Sequence, residues 1–72
     1  MRIVLEQEGQ HLIMSVAYED DPQWNATITD IDIELNGRQG VRRMSYDTWW
    51  WDLRRKDEAE AYITYFYLKH GK

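Results

Sequence analysis

The sequence predicts a small α+β domain: a three- or four-stranded antiparallel sheet, packed on one face by one or two C-terminal helices. Apolar and polar residues alternate through much of the first half of the chain, which is typical of strands with one buried face. Short segments with glycine or proline separate these stretches and predict turns. Ser45 and Asp57 each begin a pattern typical of a helix N-terminus, so helices are expected in the second half.

The first two alternating segments predict a β-hairpin. One strand is expected over residues 2–7 and the other over residues 11–18, with Gly9 in the connection because glycine tolerates positive φ. A connection this short makes the two strands antiparallel. One face of the second strand is expected to consist of Leu12, Met14, Val16 and Tyr18.

A third strand is predicted over residues 24–35, in which the apolar residues change phase. They occupy even positions up to Ile28 and odd positions from Ile31 onward. Because side chains in a strand alternate with a period of two, the phase changes only where one residue is inserted. A bulge or sharp bend is therefore expected near Thr29 and Asp30.

Two connections bound this third strand. Residues 19–23 contain the only proline, which would remove a hydrogen-bond donor from a ladder, so they are predicted to form a loop. At the other end, Asn36-Gly37 is a strong signal for a hairpin turn. Residues 38–44 are therefore expected to return as a fourth strand, with a bulge at Gly40.

The tryptophan-rich segment predicts a helix over residues 46–55. Ser45 suits the N-cap position and Asp47 lies in the first turn, where the helix dipole favours negative charge. Arg54 and Arg55 lie at the other end, where it favours positive charge. At about 100° per residue, one broad apolar stripe consists of Tyr46, Trp49, Trp50 and Leu53. We therefore expect Trp49 and Leu53 in the core.

Trp51 falls nearly opposite to that stripe. A single stripe does not bury all three consecutive tryptophans, so Trp51 needs another environment. One alternative is that it packs under the last element of the chain. The other is that it forms an exposed anchor for a partner, since tryptophan is enriched among interface hot spots.

The last element is predicted to be a second helix. It begins at Asp57, in a capping-box pattern with Glu60, and is expected to end at Gly71. The alternative over residues 62–68 is a strand, because this stretch is rich in β-branched and aromatic residues.

Length and composition are those of one domain spanning residues 1–72. A chain this short buries a limited fraction of its surface. Four tryptophans, five tyrosines and one phenylalanine are expected to compensate, since each aromatic side chain buries about 150–250 Å².

Without cysteine there is no disulfide and no thiolate metal site. No apolar run approaches the ~18 residues of a membrane span and no signal-peptide pattern occurs, so we expect a cytoplasmic protein.

Charge is distributed unevenly along the chain. The net charge is −4, with acidic residues concentrated between positions 19 and 34 and basic residues between positions 38 and 56. The molecule is therefore expected to be dipolar, and a charged partner would be steered to one end of it.

The sequence does not predict an enzyme. His11 and His70 are the only histidines and lie near the ends of predicted elements. Ser45 is already assigned to a helix cap, and the four glycines are isolated in turns rather than grouped in a phosphate-binding loop. No catalytic residue, cofactor or metal site is therefore expected.

Three carboxylates are predicted to form a row on the polar face of the third strand: Asp30, Asp32 and Glu34. On a strand they would recur about every 6.6 Å, close to the spacing of phosphates along a nucleic acid. Such a row, with Asp20 and Asp21 in the adjoining loop, is expected to dock on a basic groove of a partner. The alternative is a solvated face that keeps the sheet soluble. A Ca²⁺ site is less well supported, because carboxylates on one strand face do not converge.

A second interpretation concerns the basic residues. Arg42, Arg43 and Lys56, together with Arg54 and Arg55, lie near Trp51 and the tyrosines in the sequence and are suited to gripping a single nucleic-acid strand. The acidic net charge opposes this, since nucleic-acid-binding domains are usually basic.

The order of these features resembles a known group of proteins. A strand that ends Val16-Ala17-Tyr18-Glu19, a long acidic segment, the Asn36-Gly37 turn and a capped aromatic segment with Trp50 and Leu53 are similar to small phage anti-CRISPR proteins that act on type I surveillance complexes. The resemblance covers about residues 12–53. It implies a non-enzymatic inhibitor that blocks a nucleic-acid site on a large complex.

Together these observations predict a small acidic protein that binds a macromolecular partner and mimics nucleic acid. The partner is expected to be a protein or ribonucleoprotein complex with a basic groove, and the partner-binding residues are expected to be Asp20, Asp21, Asp30, Asp32, Glu34 and Trp51. The alternatives are a nucleic-acid-binding module and a structural subunit that dimerises through its aromatic residues. No interaction with a membrane is expected.

Overall fold

The computed structural model describes residues 2–18 and 20–70. The elements are β1 (Arg2–Glu8), β2 (His11–Ala17), α1 (Trp24–Leu35), β3 (Val41–Ser45), β4 (Thr48–Asp52), a short 3-10 helix (Leu53–Arg55) and α2 (Lys56–His70). The predicted fold class, α+β with a four-stranded antiparallel sheet and helices on one face, is confirmed. One of the two helices, however, lies between the strands in sequence. The predicted loop residue Glu19 and the predicted helix end at Gly71 lie outside the described residues.

The sheet has the strand order β1-β2-β4-β3, and each pair of neighbours is antiparallel. The predicted β1–β2 hairpin is confirmed, with Val4 opposite Ser15 and Glu8 opposite His11. Two ββα units therefore follow each other along the chain, and the second strand of each lies in the middle of the sheet. The edges are formed by β1 and β3.

The predicted strand over residues 24–35 is wrong, because this segment forms α1. Its apolar residues lie four, three and four positions apart, at Trp24, Ile28, Ile31 and Leu35. That spacing is the i, i+4, i+7 pattern of one helix face. The apparent change from even to odd positions was this helical period, and there is no bulge at Thr29 and Asp30.

The predicted helix over residues 46–55 is also wrong. Residues 41–52 form a β3–β4 hairpin that turns at Tyr46 and Asp47, and Ser45 belongs to β3 rather than to a helix cap. Trp49 and Trp51 point into the core with 1% and 0% exposure, while Trp50 between them is only partly buried. This alternation has the period of two that strand geometry imposes.

The connection between α1 and β3 also differs from the prediction. Asn36-Gly37 ends α1 rather than forming a hairpin, and the Asn36 N–H donates to the Asp32 carbonyl oxygen at 2.8 Å. The fourth predicted strand begins only at Val41. Gly40 has φ +80°, and a Cβ there would collide with the Arg55 side chain, so this turn requires glycine.

The predicted C-terminal helix is confirmed as α2, but it begins at Lys56 directly after the 3-10 helix, so Asp57 lies in its first turn rather than at a cap. The strand alternative for residues 62–68 is wrong. Its buried residues Ala59, Tyr62 and Phe66 pack, with the buried face of α1, on the side of the sheet that carries Trp49 and Trp51. Trp51 therefore packs under the last element, as one alternative predicted, and its ring centroid lies 6.3 Å from that of Tyr62. Leu53, predicted in the core, is half-buried and packs against it.

The opposite side of the sheet is covered by neither helix. We call it the open face. Register places Glu6 opposite Ile13, Ile13 opposite Trp50, and Trp50 opposite Arg42 on this face. Val4, two residues before Glu6 on β1, and His11, two residues before Ile13 on β2, lie on it as well.

Candidate functional site

The predicted row of carboxylates does not exist as a row. Asp30, Asp32 and Glu34 lie on the helix α1, where residues two positions apart are separated by about 200° around the axis. Asp32 therefore projects away from the other two, and the three groups do not follow one line at strand spacing. The prediction failed because it depended on the wrong secondary structure.

Asp32 is engaged within the molecule. Its Oδ2 lies 3.1 Å from Nη1 of Arg43 on β3, and both side chains are partly exposed. The same guanidinium donates to the carbonyl oxygens of Ser45 and Tyr46, at 3.2 and 2.7 Å. Asp32 thus helps to hold the irregular end of β3, where the register with β4 shifts between Arg43 and Ser45.

Glu34 is the centre of a second internal cluster. Its carboxylate accepts hydrogen bonds from Tyr62 Oη at 2.6 Å, Tyr65 Oη at 3.1 Å and Lys69 Nζ at 2.8 Å. Burial alone would raise the pKa of Glu34, but the hydrogen bonds from Lys69 and the two tyrosines outweigh it and hold this pKa below its ordinary value. Burial, reinforced by the hydrogen bond to Glu34, raises the pKa of Tyr62 far above its usual range.

A groove of about 470 Å³ lies beside this cluster, between α1 and α2. It is lined by Glu34, Arg38, Glu58, Ala61, Tyr62 and Tyr65. The Arg38 guanidinium lies 5.7 Å from the Tyr62 ring centroid. The Glu34 carboxylate already accepts three hydrogen bonds, and the buried Tyr62 hydroxyl donates to it, so neither of these two groups is free to act as a general base or a nucleophile.

Three aromatic side chains meet at one end of the sheet. The ring centroids of Tyr18 and Trp24 are 5.1 Å apart in an edge-to-face arrangement, and those of Trp24 and Tyr46 are 5.5 Å apart. Tyr18 is 63% exposed and Tyr46 is 50% exposed, while Trp24 is partly buried between them. With Asp20 and Asp21 they form a surface that we call the aromatic–acidic patch.

Hydrogen bonds from three parts of the chain position these rings. Trp24 Nε1 donates to the Val16 carbonyl oxygen at 3.3 Å, which fixes the start of α1 against the end of β2. Tyr46 Oη donates to Asn25 Oδ1 at 2.8 Å, which ties the β3–β4 turn to the same helix end. Because these bonds join α1 to the end of β2 and to the β3–β4 turn, the patch forms only in the folded protein.

The two carboxylates of the patch are held less tightly than Asp32 and Glu34. Asp20 accepts a hydrogen bond from Tyr18 Oη at 3.1 Å, and Asp21 Oδ1 accepts one from the Gln23 N–H at 2.8 Å. Asp20 has φ +56°, a left-handed conformation in which Asp is several-fold enriched among non-glycine residues. Neither carboxylate forms an ion pair with a cationic side chain among residues 2–18 and 20–70.

The sequence interpretation included both of these acids but missed the three aromatic residues. Tyr18 was assigned to the buried face of a strand, Trp24 to the start of another strand and Tyr46 to a helix. A signal was available, since Tyr18 and Trp24 flank the acidic loop within six positions of each other. Tyr46 is distant in sequence and reaches the patch only through the β3–β4 turn.

Most of the basic residues proposed to grip nucleic acid are engaged elsewhere. Arg54 binds Asp52 at 2.8 Å and Arg55 binds Glu58 at 2.7 Å. Hydrogen bonds from the Arg54 side chain and backbone lower the pKa of Asp52 to about 2. The Arg42 guanidinium lies 4.5 Å from the centroid of the Trp50 ring, on the open face.

Trp51 does not serve as an exposed anchor. Its side chain is fully buried, because the strand alternation turns it towards the helices. Its indole N–H is buried and has no hydrogen-bond partner in the described part of the chain. The exposed-anchor alternative for this residue is therefore wrong.

Within residues 2–18 and 20–70, no group of three or more His, Cys, Asp or Glu is arranged to hold a metal ion. Neither α1 nor α2 is long and apolar enough to cross a membrane. No protein family, curated protein or solved structure matches this chain in the comparisons with known proteins.

Proposed function

We propose that this chain is a small, non-enzymatic binding protein that contacts a basic surface of a protein or ribonucleoprotein partner through the aromatic–acidic patch. The observation that carries the proposal is the contact among Tyr18, Trp24 and Tyr46, two of them half or more exposed, beside Asp20 and Asp21. Tyr and Trp are enriched at the centres of protein interfaces, and they lose little conformational entropy on binding.

The chemistry of the patch is suited to arginine and lysine side chains. A guanidinium or ammonium group is attracted to the face of an aromatic ring, and adjacent carboxylates form charge-assisted hydrogen bonds with it. The folded protein already contains such a pair, in which the Arg43 guanidinium lies 5.3 Å from the Tyr46 ring centroid. An arginine of a partner would make the same contact on the ring of Tyr18, the most exposed of the three.

A basic partner surface is favoured over nucleic acid at this site, because the carboxylates of the patch would repel phosphates. The net charge of −4 would favour the same encounter over a longer range. A basic surface in such a complex commonly serves to bind nucleic acid. Occupying it would make the protein an inhibitor, as its resemblance to phage anti-CRISPR proteins implies.

The nucleic-acid-binding alternative has less support. It requires free cations beside exposed aromatic faces, whereas Arg43, Arg54 and Arg55 are each paired with a carboxylate. One face of Trp50 is already occupied by Arg42. A gel shift against single- and double-stranded DNA and RNA is expected to show no complex at physiological salt.

Substitutions in the patch are expected to weaken partner binding without unfolding the protein. Tyr18→Ala should raise the Kd at least about tenfold, as expected for an exposed interface aromatic. Asp20→Asn should raise the Kd and reduce its salt dependence, because it removes one charge while asparagine still tolerates the left-handed conformation. The partner is first captured by photo-crosslinking from position 18, then purified and titrated by calorimetry at about 50 and 300 mM salt.

Two matched variants control for these changes. Tyr65→Ala removes a tyrosine that is 47% exposed on α2, and Asp57→Asn removes an exposed charge from the first turn of α2. Both should leave the Kd within about twofold, since they lie away from the patch. If Tyr65→Ala reduces affinity and Tyr18→Ala does not, the contact lies on the helices and the proposal is wrong.

A further inference from the structure

We infer that the open face of the sheet is the contact between two copies of this chain, which pair face to face as a two-fold dimer. This surface is separate from the aromatic–acidic patch and does not depend on the proposed function. It consists of outward-facing residues of all four strands, with Ile13 and Trp50 at its centre. Among residues 2–18 and 20–70, no element packs over it.

Solvent-exposed sheet faces usually carry polar residues, and most outward positions of the open face follow this rule, as Glu8, Ser15, Thr48 and Asp52 do. Its centre is different. Here Val4, Ile13 and Trp50 occupy outward positions and are only partly buried, by neighbours on the same face. The His11 ring stacks on Trp50 with centroids 5.9 Å apart, and the Arg42 guanidinium lies 4.5 Å from the Trp50 centroid, so the tryptophan is held between two side chains.

One cross-strand row gives the face its polarity. From edge to edge it reads Glu6, Ile13, Trp50 and Arg42. The negative charge lies on β1 at one edge and the positive charge on β3 at the other. The edges are three strand intervals apart, about 14 Å, so the two charges do not meet within one molecule.

This row is complementary to itself under one two-fold rotation. An axis parallel to the strands, between β2 and β4, places β1 of one copy over β3 of the second. Glu6 then faces the Arg42 of the second copy, and Ile13 faces its Trp50. A two-fold axis perpendicular to the strands and passing through the same row would place Glu6 over Glu6 and Arg42 over Arg42. Like charges would oppose that arrangement, so the row selects the first.

The geometry suits the packing of two sheets. Stacked sheets lie about 10 Å apart and are rotated by about 30° because each is twisted. This rotation moves the outer cross-strand rows of one sheet out of register with those of the other, so the contact depends mainly on the central row. Arg42 is long enough to reach across, and its position over the Trp50 ring holds it on the face.

The size of the face indicates a weak, reversible dimer. Four strands and about six residues along each give about 400 Å² per copy. That is about half of the ~800 Å² per partner in a stable interface of standard size. Association should therefore depend on concentration and require up to about 1 mM protein to be complete.

A charge exchange tests both the face and the orientation. Glu6→Arg and Arg42→Glu should each lower the association constant about tenfold or more. The effect is large because each contact occurs twice in a two-fold dimer, so each variant creates two unfavourable pairs. The double variant Glu6→Arg with Arg42→Glu should restore the association constant. Association is measured by sedimentation equilibrium from about 10 µM to 1 mM. Glu60→Arg and Lys56→Glu, exposed on α2, make the same kinds of charge change away from the face and should have no effect.

Crosslinking distinguishes the orientations directly, because the chain contains no cysteine. With a short bismaleimide, a mixture of the Glu6→Cys and Arg42→Cys proteins should give covalent dimers of one with the other. Each protein alone should give few. A wild-type protein that remains monomeric at the highest concentration overturns the inference, as does a double variant that fails to regain association. Preferential crosslinking of Glu6→Cys to itself also overturns it. None of these results would bear on partner binding through Tyr18 and Asp20.

Discussion

Trp49→Ala is expected to lower the free energy of unfolding by about 3–5 kcal/mol, the cost of removing a large buried aromatic side chain. At about 0.05–0.15 kcal/mol per residue, a chain of this length has only about 4–11 kcal/mol in total. Trp49 is 1% exposed and packs between the sheet and the helices. Urea denaturation followed by far-UV circular dichroism measures the change.

The neighbouring tryptophans supply the controls. Trp51→Ala should lower the free energy of unfolding by about as much as Trp49→Ala, because both side chains lie on the inner face of β4. Trp50→Ala removes the same atoms from the open face and leaves no enclosed cavity. It should cost about 1–2 kcal/mol, from lost partial burial and the lost contact with Arg42.

The order of these three effects separates the strand from a helix. If the segment is a strand, substitution by alanine at positions 49 and 51 should cause a large loss of stability, and substitution at position 50 a small one. In a helix, Trp49 and Trp50 would share the buried stripe and Trp51 would lie opposite. A mild Trp51→Ala together with a severe Trp50→Ala would contradict the hairpin and the core described above.

The elements predicted correctly are those in which periodicity and end signals agree. In β2 the buried residues alternate strictly over its whole length. In α2, Ala59, Tyr62 and Phe66 recur at helical spacing behind an acidic first turn. Here local preference and tertiary packing favour the same structure, so the sequence alone was sufficient.

The two middle elements were assigned the wrong way round because propensity and periodicity conflict there. Helix α1 is rich in the β-branched residues threonine and isoleucine, which favour strands. Its helical spacing was interpreted as a strand with a bulge. In β4, three successive tryptophans are too short a run to separate a period of two from one of 3.6. The deciding factor was pairing with β2 and β3, which lies outside the segment.

The candidate site was predictable only where it did not depend on those elements. Asp20 and Asp21 lie in the predicted loop, and their position there did not depend on whether the following segment forms a strand or a helix. Asp32 and Glu34 do not form the predicted row, because they lie on helix α1 and pair with Arg43 and Lys69. The contact of Tyr46 with Trp24 joins residues 22 positions apart, and no local sequence pattern predicts it.

Glu34→Ala is expected to destabilise the protein by about 1.5–3 kcal/mol, the range for hydrogen bonds to a charged group. The main cause is Tyr62, whose buried hydroxyl would lose its acceptor. Asp32→Ala, on the same helix, is the matched control. It removes a partly exposed ion pair with Arg43 and should cost only about 0–1 kcal/mol. If the two variants are equally stable, the Glu34 cluster does not support the packing of α1 against α2.

The contribution of Glu34 should also depend on pH. Its pKa is lower in the folded protein than in the unfolded chain, so ionised Glu34 stabilises the fold. This stabilisation is complete above the unfolded pKa, about 4.3, and is lost as the pH falls through the folded value. Glu34→Gln has no such group, and its deficit relative to wild type should shrink between pH 7 and pH 3.

Urea titrations of the wild-type and Glu34→Gln proteins between pH 7 and pH 3 measure this difference in stability. The Asp32→Asn protein, treated in the same way, shows how much of any acid dependence belongs to helix α1 in general. A deficit of Glu34→Gln that stays constant down to pH 3 would mean that the carboxylate contributes through shape rather than charge. Because Tyr62 donates to Glu34, Tyr62→Phe should reduce the same pH dependence, and the double variant should show less than the sum of the two losses.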